Sequence, residues 1–421
     1  MLDIKYIREH PQEVQKSAAD KGVSIDIKNI IKLDKNYREL QFEVQKLRED
    51  RNKAAKERKI EKGKAIKAEL EGKEAALLHI ESKLKIELLK LPNPAKQDVK
   101  VGKNESENEV IRKYKEPTKF SFPPKDHLEL GQKLDIIDVE RAAKVSGTRF
   151  AYLKNEGVLL EFALVQFALQ TLIKEGFTPI IPPVLIKKEI TQGLGYWQDG
   201  GSEDYFQIHE PNEQGFYLVG TAEHSIVPMH ANETFNAKDL PRRYVGFSTA
   251  FRREAGSYGK DTKGILRVHQ FDKIEMVSFV EKGKDDQEHE FLLGLEEKLF
   301  QALQIPYQVI KMCSGDLGFP AARKYDIESW MPGQNKYREV TSVSTVTDFQ
   351  ARRLNIKYRK DAIASNAAST EFVNILNGTA FAIGRTIIAI LENYQQEDGS
   401  VSIPQVLQKY VGKDIIRPHK A

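Results

Sequence analysis

Apolar residues recur at Ile30, Leu33, Tyr37, Leu40, Val44 and Leu47, in alternating steps of three and four. That is the heptad spacing of a long helix with one narrow apolar seam. A second series runs at Leu70, Leu77, Leu84 and Leu91, with Ile80 and Leu88 beside it. Between the two lies a polar stretch, Arg58 to Ala65, whose Gly63 is the expected tip. Two helices of similar length joined by a short turn predict an antiparallel coiled-coil hairpin over about 27–91. At 1.5 Å per residue, about 30 residues reach about 45 Å. Gly72 weakens the second helix by up to about 1 kcal/mol relative to Ala. The prolines of Leu91-Pro-Asn-Pro94 then end it.

Charge follows the same division. Residues 27–91 carry 18 Lys+Arg against 12 Asp+Glu, a net of +6, whereas the whole chain is +4. The basic excess therefore lies in the arm, which suits a polyanionic partner. A solvated lysine-rich helix face accounts for the same charge equally well. No apolar run approaches the roughly 18 residues that span a bilayer, and the start MLDIKYIREHPQEV lacks the pattern of a signal peptide. No membrane partner is expected. A single cysteine, Cys313, excludes an internal disulfide framework and a multi-cysteine zinc site, so a reducing cytoplasm is the expected compartment.

With 421 residues, 40% of them hydrophobic, the chain has room for more than the arm. The polar stretch 97–110 reads as linker, which divides the chain into an N-terminal domain over 1–112 and a second over 113–421. Leu159 to Gly176 is an apolar-rich helix, and FTPIIPPVLI (177–186) is an extended stretch suited to a sheet edge or interface. Strand candidates are Phe216–Val219, Tyr244–Phe251, Leu266–Phe271, Ile274–Val280 and Tyr337–Ser344. Without regular βαβ alternation, they predict an α+β fold with a mixed or antiparallel sheet. There is no GxGxxG and no P-loop, so a bound nucleotide would lie outside the common glycine-loop cradles.

Four stretches carry chemistry. FRREAGSYGKDTKGILRVHQF (251–271) predicts a hairpin with its polar loop in solvent and both strand ends over the sheet. Arg252 offers a planar fork for carboxylate or phosphate, Glu254 an acceptor for an exocyclic amine, and Phe271 a ring for stacking. On its own this is equally a charged surface hairpin. GTAEHS (220–225) puts a hydroxyl and a carboxylate at the end of a strand-like run. NKYREVTSVSTVTDFQARR (335–353) brings Glu339 and Ser342, and NGTAFAIGRTIIAILENY (377–394) sets Arg385 near a helix N-terminus, where an anion is favoured.

Together these stretches resemble a bacterial-type seryl-tRNA synthetase, a class II aminoacyl-tRNA synthetase, across essentially the whole length. FRREAG…RVHQFDKIEM resembles the family's motif 2, NGTAFAIGRT its motif 3, and EGFTPIIPPVL lies where motif 1 belongs. TAE resembles the serine-binding loop, and the arm is this family's own appendage. The resemblance implies a coiled-coil arm joined to a class II catalytic domain built on an antiparallel sheet flanked by helices. It implies activation of L-serine with ATP to seryl-adenylate, then transfer to the 3′ end of tRNA(Ser), with tRNA(Sec) left open as a second acceptor. A homodimer is expected.

The same resemblance assigns roles. Arg252 bridges the serine carboxylate and the α-phosphate, and Arg385 holds the γ-phosphate end. Glu254 reads the adenine amino edge and Phe271 stacks on the base. Arg253, Val268, Val340 and Thr341 complete the ATP site, with Glu339 and Ser342 as oxygen donors for Mg²⁺ on the phosphates. Serine falls to Thr221, Ala222, Glu223, Arg252, Glu275, Asn377 and Thr379. Arg48, Arg51, Lys53, Lys56 and Arg58 are the tRNA contacts. No zinc is expected: Cys313 lacks the context of the zinc-dependent branch, and His209, His224, His230 and His269 lack metal-ligand spacing. The chain departs from the usual Asn-Gly-Ser-Gly at Thr379 and Ala380, and from the common Cys and Asn at Val343 and Thr345. Two rival readings are a homologue that loads an activated amino acid onto a carrier protein, and a non-catalytic tRNA-binding coiled-coil protein.

Overall fold

A computed structural model describes residues 1–196, 201–209, 215–254, 263–360 and 369–418, so the tip of the 251–271 loop lies outside the described residues. The chain forms two compact units, Met1–Pro94 and Ala95–Ala421.

The first unit is helical: α1 (Ile4–Glu9), α2 (Pro11–Asp20), α3 (Ile27–Lys56) and α4 (Ile60–Leu89). Asp3 and Asp26 start α1 and α3 by accepting backbone N–H groups of Lys5 and Asn29. The heptad seam is real. Ile30, Val44 and Ala54 of α3 and Ile66, Leu70, Leu84 and Leu88 of α4 are buried. Leu33, Tyr37, Leu40 and Leu47 are half-buried, because a two-stranded hairpin covers a seam from one side only. At its base, Ile7 and Val14 pack on Ile27, Ile30, Leu84 and Leu88. The tip is not at Gly63, which lies inside α4. The chain turns at residues 57–59, with Arg58 in the left-handed region at φ 53°. A single such residue is within reach of a non-glycine side chain. Across the hairpin, Arg48 meets Glu74 at 2.7 Å and Lys73 meets Glu43 at 2.6 Å.

The second unit is built on eight strands: β1 (Glu109–Tyr114), β2 (Thr178–Ile180), β3 (Arg242–Phe251), β4 (Gln270–Val280), β5 (Tyr307–Lys311), β6 (Arg323–Met331), β7 (Lys336–Thr347) and β8 (Asn374–Ala382). Their order is β1-β5-β6-β7-β8-β4-β3-β2. Every pair is antiparallel except β2 with β3 at the edge. Proline-rich 177–186 thus supplies an edge strand, where a missing N–H costs least. Helices α5 (His127–Lys133), α6 (Glu156–Lys174), α7 (Asp285–Ala302) and α8 (Ile383–Asn393) complete the frame. Leu160 and Leu164 of α6, Phe300 of α7 and Ile387 of α8 join Phe381 of β8 in the main core.

Three expectations change. Residues 97–110 are not a free linker: β1 begins at Glu109 and pairs with β5, and Asp98 meets Lys311 at 2.7 Å. They belong to the second unit, which moves the boundary from 112 to 94. Leu266–His269 is not a strand, and Phe271 and Ile274–Val280 share one strand, β4. Finally, α6 is long and apolar enough by composition to cross a membrane, contrary to the reading of the sequence, yet half of it is buried within the fold. A helix apolar on most sides is what a sheet-covering core position demands.

Candidate active site

The candidate site lies along β3, β4, β7 and β8, beside the 219–226 segment. Its floor is acidic. Pairing of β4 with β8 sets Glu275 opposite Thr379, with an irregularity after Ile274. Glu275 is completely buried; Thr379 donates its hydroxyl to Oε2 at 3.0 Å and Asn377 donates Nδ2 to Oε1 at 3.1 Å. The threonine in place of the usual serine therefore keeps its hydroxyl in use, while Ala380 goes into the core. Val343 is likewise core, and Thr345 donates to Asp285 at 3.1 Å.

A second carboxylate, Glu223, begins the short helix Glu223–Ile226. It accepts from Gln350 Nε2 at 2.8 Å and from the Tyr196 hydroxyl at 3.0 Å. Burial pushes its pKa up to about 7; Glu275 adds to this, and Gln350, Lys273 and Tyr196 oppose it. Lys273 reaches Glu275 Oε2 at 2.7 Å and Thr379 Oγ1 at 3.5 Å. Burial, helped by Arg252, lowers the Lys273 pKa against the pull of Glu275. Thr221 is buried at the same end, its Oγ1 accepting from the Glu223 N–H at 3.4 Å.

The opposite end is cationic. The end of β3 is stapled to the 219–226 segment, since Phe251 N–H donates to the Val219 carbonyl at 2.8 Å. Arg252 then donates Nε to the Gly220 carbonyl at 3.2 Å and lays its guanidinium 5.5 Å from the Phe271 ring centroid. Arg385, at the start of α8, donates Nη1 to the Glu339 carbonyl at 3.1 Å and meets its Oε2 at 3.1 Å. Burial works to raise the Glu339 pKa, but Arg385, Lys324 and Arg252 prevail and hold it at about 2. Ser342 is half-buried opposite Asp326 in the β6–β7 pairing. Glu254 sits at φ 52° with its carboxylate paired to Arg267.

The structure gathers Thr221, Glu223, Arg252, Glu275, Asn377 and Thr379 around one end, and Glu254, Phe271, Glu339, Ser342 and Arg385 around the other. It turns others away. Arg253 is exposed, and its N–H donates to the Asp204 carbonyl at 2.8 Å. Ala222, Val268 and Val340 are buried apolar side chains, and the Thr341 hydroxyl bonds Glu296 of α7 inside the core. Among the described residues no group of three His, Cys, Asp and Glu is arranged to hold a metal. Three of these histidines have protein partners: His224 accepts from Gly220 N–H at 3.2 Å, His230 meets Glu233 at 2.7 Å, and His269 meets the Arg252 carbonyl at 3.0 Å.

Lys273, Tyr196, Gln350 and Arg267 were not singled out in the sequence. Lys273 had a signal, because residues two apart on a strand share a face with each other. Tyr196 and Gln350 had none, since each approaches Glu223 from a distant segment.

Chemically, the acidic floor suits an ammonium and a hydroxyl, and the arginine end suits a polyanion. Arg252 lies within electrostatic reach of both Lys273 and Glu339.

Residues 206–394 match the tRNA synthetase class II core domain (G, H, P, S and T), and residues 1–95 match the seryl-tRNA synthetase N-terminal domain. The serine–tRNA ligase of Dictyoglomus turgidum is 44% identical over 433 residues, covering 100% of both chains. That of Pyrococcus horikoshii is 42% identical, covering 100% of this chain and 98% of the relative. The crystal structure of the Pyrococcus horikoshii seryl-tRNA synthetase complexed with ATP superposes with a TM-score of 0.91 at 41% identity over 100% of both chains. The cytoplasmic serine-tRNA ligase of Naegleria fowleri in complex with AMP gives 0.88 at 31% identity, over 100% of this chain and 99% of that one.

Proposed function

The chain belongs to the seryl-tRNA synthetase family and is a serine–tRNA ligase, and on that premise we propose how its pocket divides the work. L-Serine and ATP give seryl-adenylate and pyrophosphate, and the seryl group passes to the 3′ end of tRNA(Ser). Glu223 and Thr221 take the serine ammonium. Glu275 and Thr379 take its hydroxyl, an arrangement that leaves buried groups unpaired when alanine enters. Arg252 draws the serine carboxylate and the α-phosphate together, neutralising charge in the attack. Arg385 holds the terminal phosphate, Phe271 stacks on adenine, and Glu254, oriented by Arg267, accepts from the adenine amine. The observation that carries this division is the position of Arg252 between a carboxylate floor and an arginine-rich wall. Pyrophosphate exchange across a panel of amino acids tests it: serine should stand out, and an equal response to alanine would end it.

Glu339, ionised because its pKa stays near 2, and Ser342 are hard oxygen donors that fit Mg²⁺. They would hold it together with phosphate oxygens, and the ion would supply charge neutralisation on the leaving pyrophosphate. The zinc-free reading rests on Cys313, which is buried and hydrogen-bonded to the Asn104 carbonyl at 3.3 Å. Together with the arm, that also supports the bacterial-type reading, although the relatives include archaeal proteins. The same family membership supports a cytoplasmic location without a membrane partner.

A homodimer is supported by an apolar face. Leu159 and Phe162 of α6 are 42% and 59% exposed, and Ile181 after β2 is 83% exposed. Large apolar side chains left this exposed suit an interface. Phe162→Asp with Ile181→Asp should halve the sedimenting mass; an unchanged mass would remove this face from the interface. Basic side chains on the arm, among them Arg51, Lys53, Lys56 and Arg58, are exposed and free to meet tRNA phosphates. The same arm disfavours the carrier-protein reading, and the built pocket disfavours a non-catalytic one.

A further inference from the structure

We propose that His127 is a positioning residue for the nucleotide, acting as a neutral imidazole that fixes the returning limb of the β3–β4 connection, residues 264–269. The inference rests on the assignment of the arginine end of the pocket to ATP.

His127 opens α5 and is 5% exposed. Its Nε2 accepts the Ile265 backbone N–H at 3.3 Å. Since that nitrogen accepts, the ring proton sits on Nδ1, which donates to Glu392 Oε1 at 3.2 Å. Glu392, on α8, is completely buried. It also accepts the backbone N–H of His127 at 3.1 Å and, on Oε2, that of Gly333 at 2.9 Å. The ring is thus held in one orientation and one tautomer, and it presents an acceptor to a limb that has no sheet partner.

The residues after Ile265 give the anchor its consequence. The Leu266 carbonyl accepts Arg385 Nε at 3.3 Å. Arg267 pairs with Glu254, and His269 N–H donates to the Arg149 carbonyl at 2.9 Å. Three successive interactions therefore depend on where Ile265 is pinned, and two of them set side chains assigned to the phosphates and the adenine. Gly264 fits the arrangement: it has φ +68°, and a Cβ there would lie 2.0 Å from His127 Nε2. Neither the backbone conformation nor the space admits a side chain. None of this touches the serine floor, where Glu223, Glu275 and Thr379 are held by other partners.

The effect should therefore fall on ATP and spare serine. In serine-dependent pyrophosphate exchange, His127→Leu should raise the KM for ATP at least tenfold, with the KM for serine within twofold of the parent. His127→Gln, which retains an acceptor toward Ile265, should recover most of that loss. Gly264→Ala, which drives the ring aside, should reproduce the selective ATP defect, and it serves as the test should His127→Leu not fold. ATP affinity by calorimetry without serine should move in parallel, which separates this inference from the identity of the amino acid. Equal rises in both KM values, or a glutamine variant no better than the leucine, would show a general structural role and overturn the proposal.

Discussion

Lys273 Nζ lies 2.7 Å from Glu275 Oε2 at the floor of the pocket, and both side chains are buried. The lysine sets its ammonium against a carboxylate that has no access to solvent. Lys273→Met removes the partner and leaves an uncompensated charge, which typically costs about 3–5 kcal/mol. Denaturant unfolding should show a loss of that order, with a raised KM for serine. Glu275→Gln should weaken serine use by roughly 10- to 100-fold, the worth of a charged hydrogen bond.

Glu223 gives a pH dependence. With its pKa near 7 in the empty pocket, it is largely protonated below that pH and a poor partner for the serine ammonium. The KM for serine should rise as pH falls through 7, and Glu223→Gln should flatten that limb. Linkage to folding has the opposite sign. The folded pKa exceeds the unfolded value of about 4.3, so the folded state holds more protons between the two. The stability of the empty protein should therefore decline from about pH 4.5 to about pH 7 through this group, a trend that thermal melts of the parent and Glu223→Gln would separate.

Arg252 carries the largest single effect on chemistry. Arg252→Ala should lower pyrophosphate exchange by about 10²–10³. Arg252→Lys should not rescue it, because an ammonium cannot bridge two anions as a fork does. An exchange rate within tenfold of the parent in Arg252→Ala would contradict the pocket as described.

The arm is separable in function. Removing residues 30–90 should leave serine-dependent exchange intact, since the second unit has its own core, while abolishing tRNA charging. In the full chain, tRNA affinity should fall steeply with salt, and removing one phosphate-binding cation should shallow the log–log slope by about 0.7–0.9. Arg51→Ala should shallow it more than Arg48→Ala, because Arg48 is already paired with Glu74 at 2.7 Å. Fluorescence titrations at several salt concentrations would compare the two.

The sequence alone determined the elements whose signal is local. Heptads need only one partner helix, so the hairpin and its seam were readable from Ile30 to Leu91. Glu275, Arg252 and Arg385 stood out in the sequence because the motifs around them lie within single stretches. The tip was misplaced because a lone left-handed residue, Arg58, needs no glycine. Residues 97–110 looked unstructured because their order comes from β5, including Lys311 against Asp98, far along the chain.

Which atoms face the pocket was decided by tertiary structure. Thr341 and Ser342 are neighbours in sequence, yet one bonds Glu296 in the core and the other borders the site. Strand alternation and a single bulge make that choice. Tyr196 and Gln350 reach Glu223 from separate segments, and His127 reaches Ile265 across 138 positions. Burial then sets the charge states, lifting Glu223 while arginines hold Glu339 down. Desolvation and long-range pairing are properties of packed space, and no linear pattern records them.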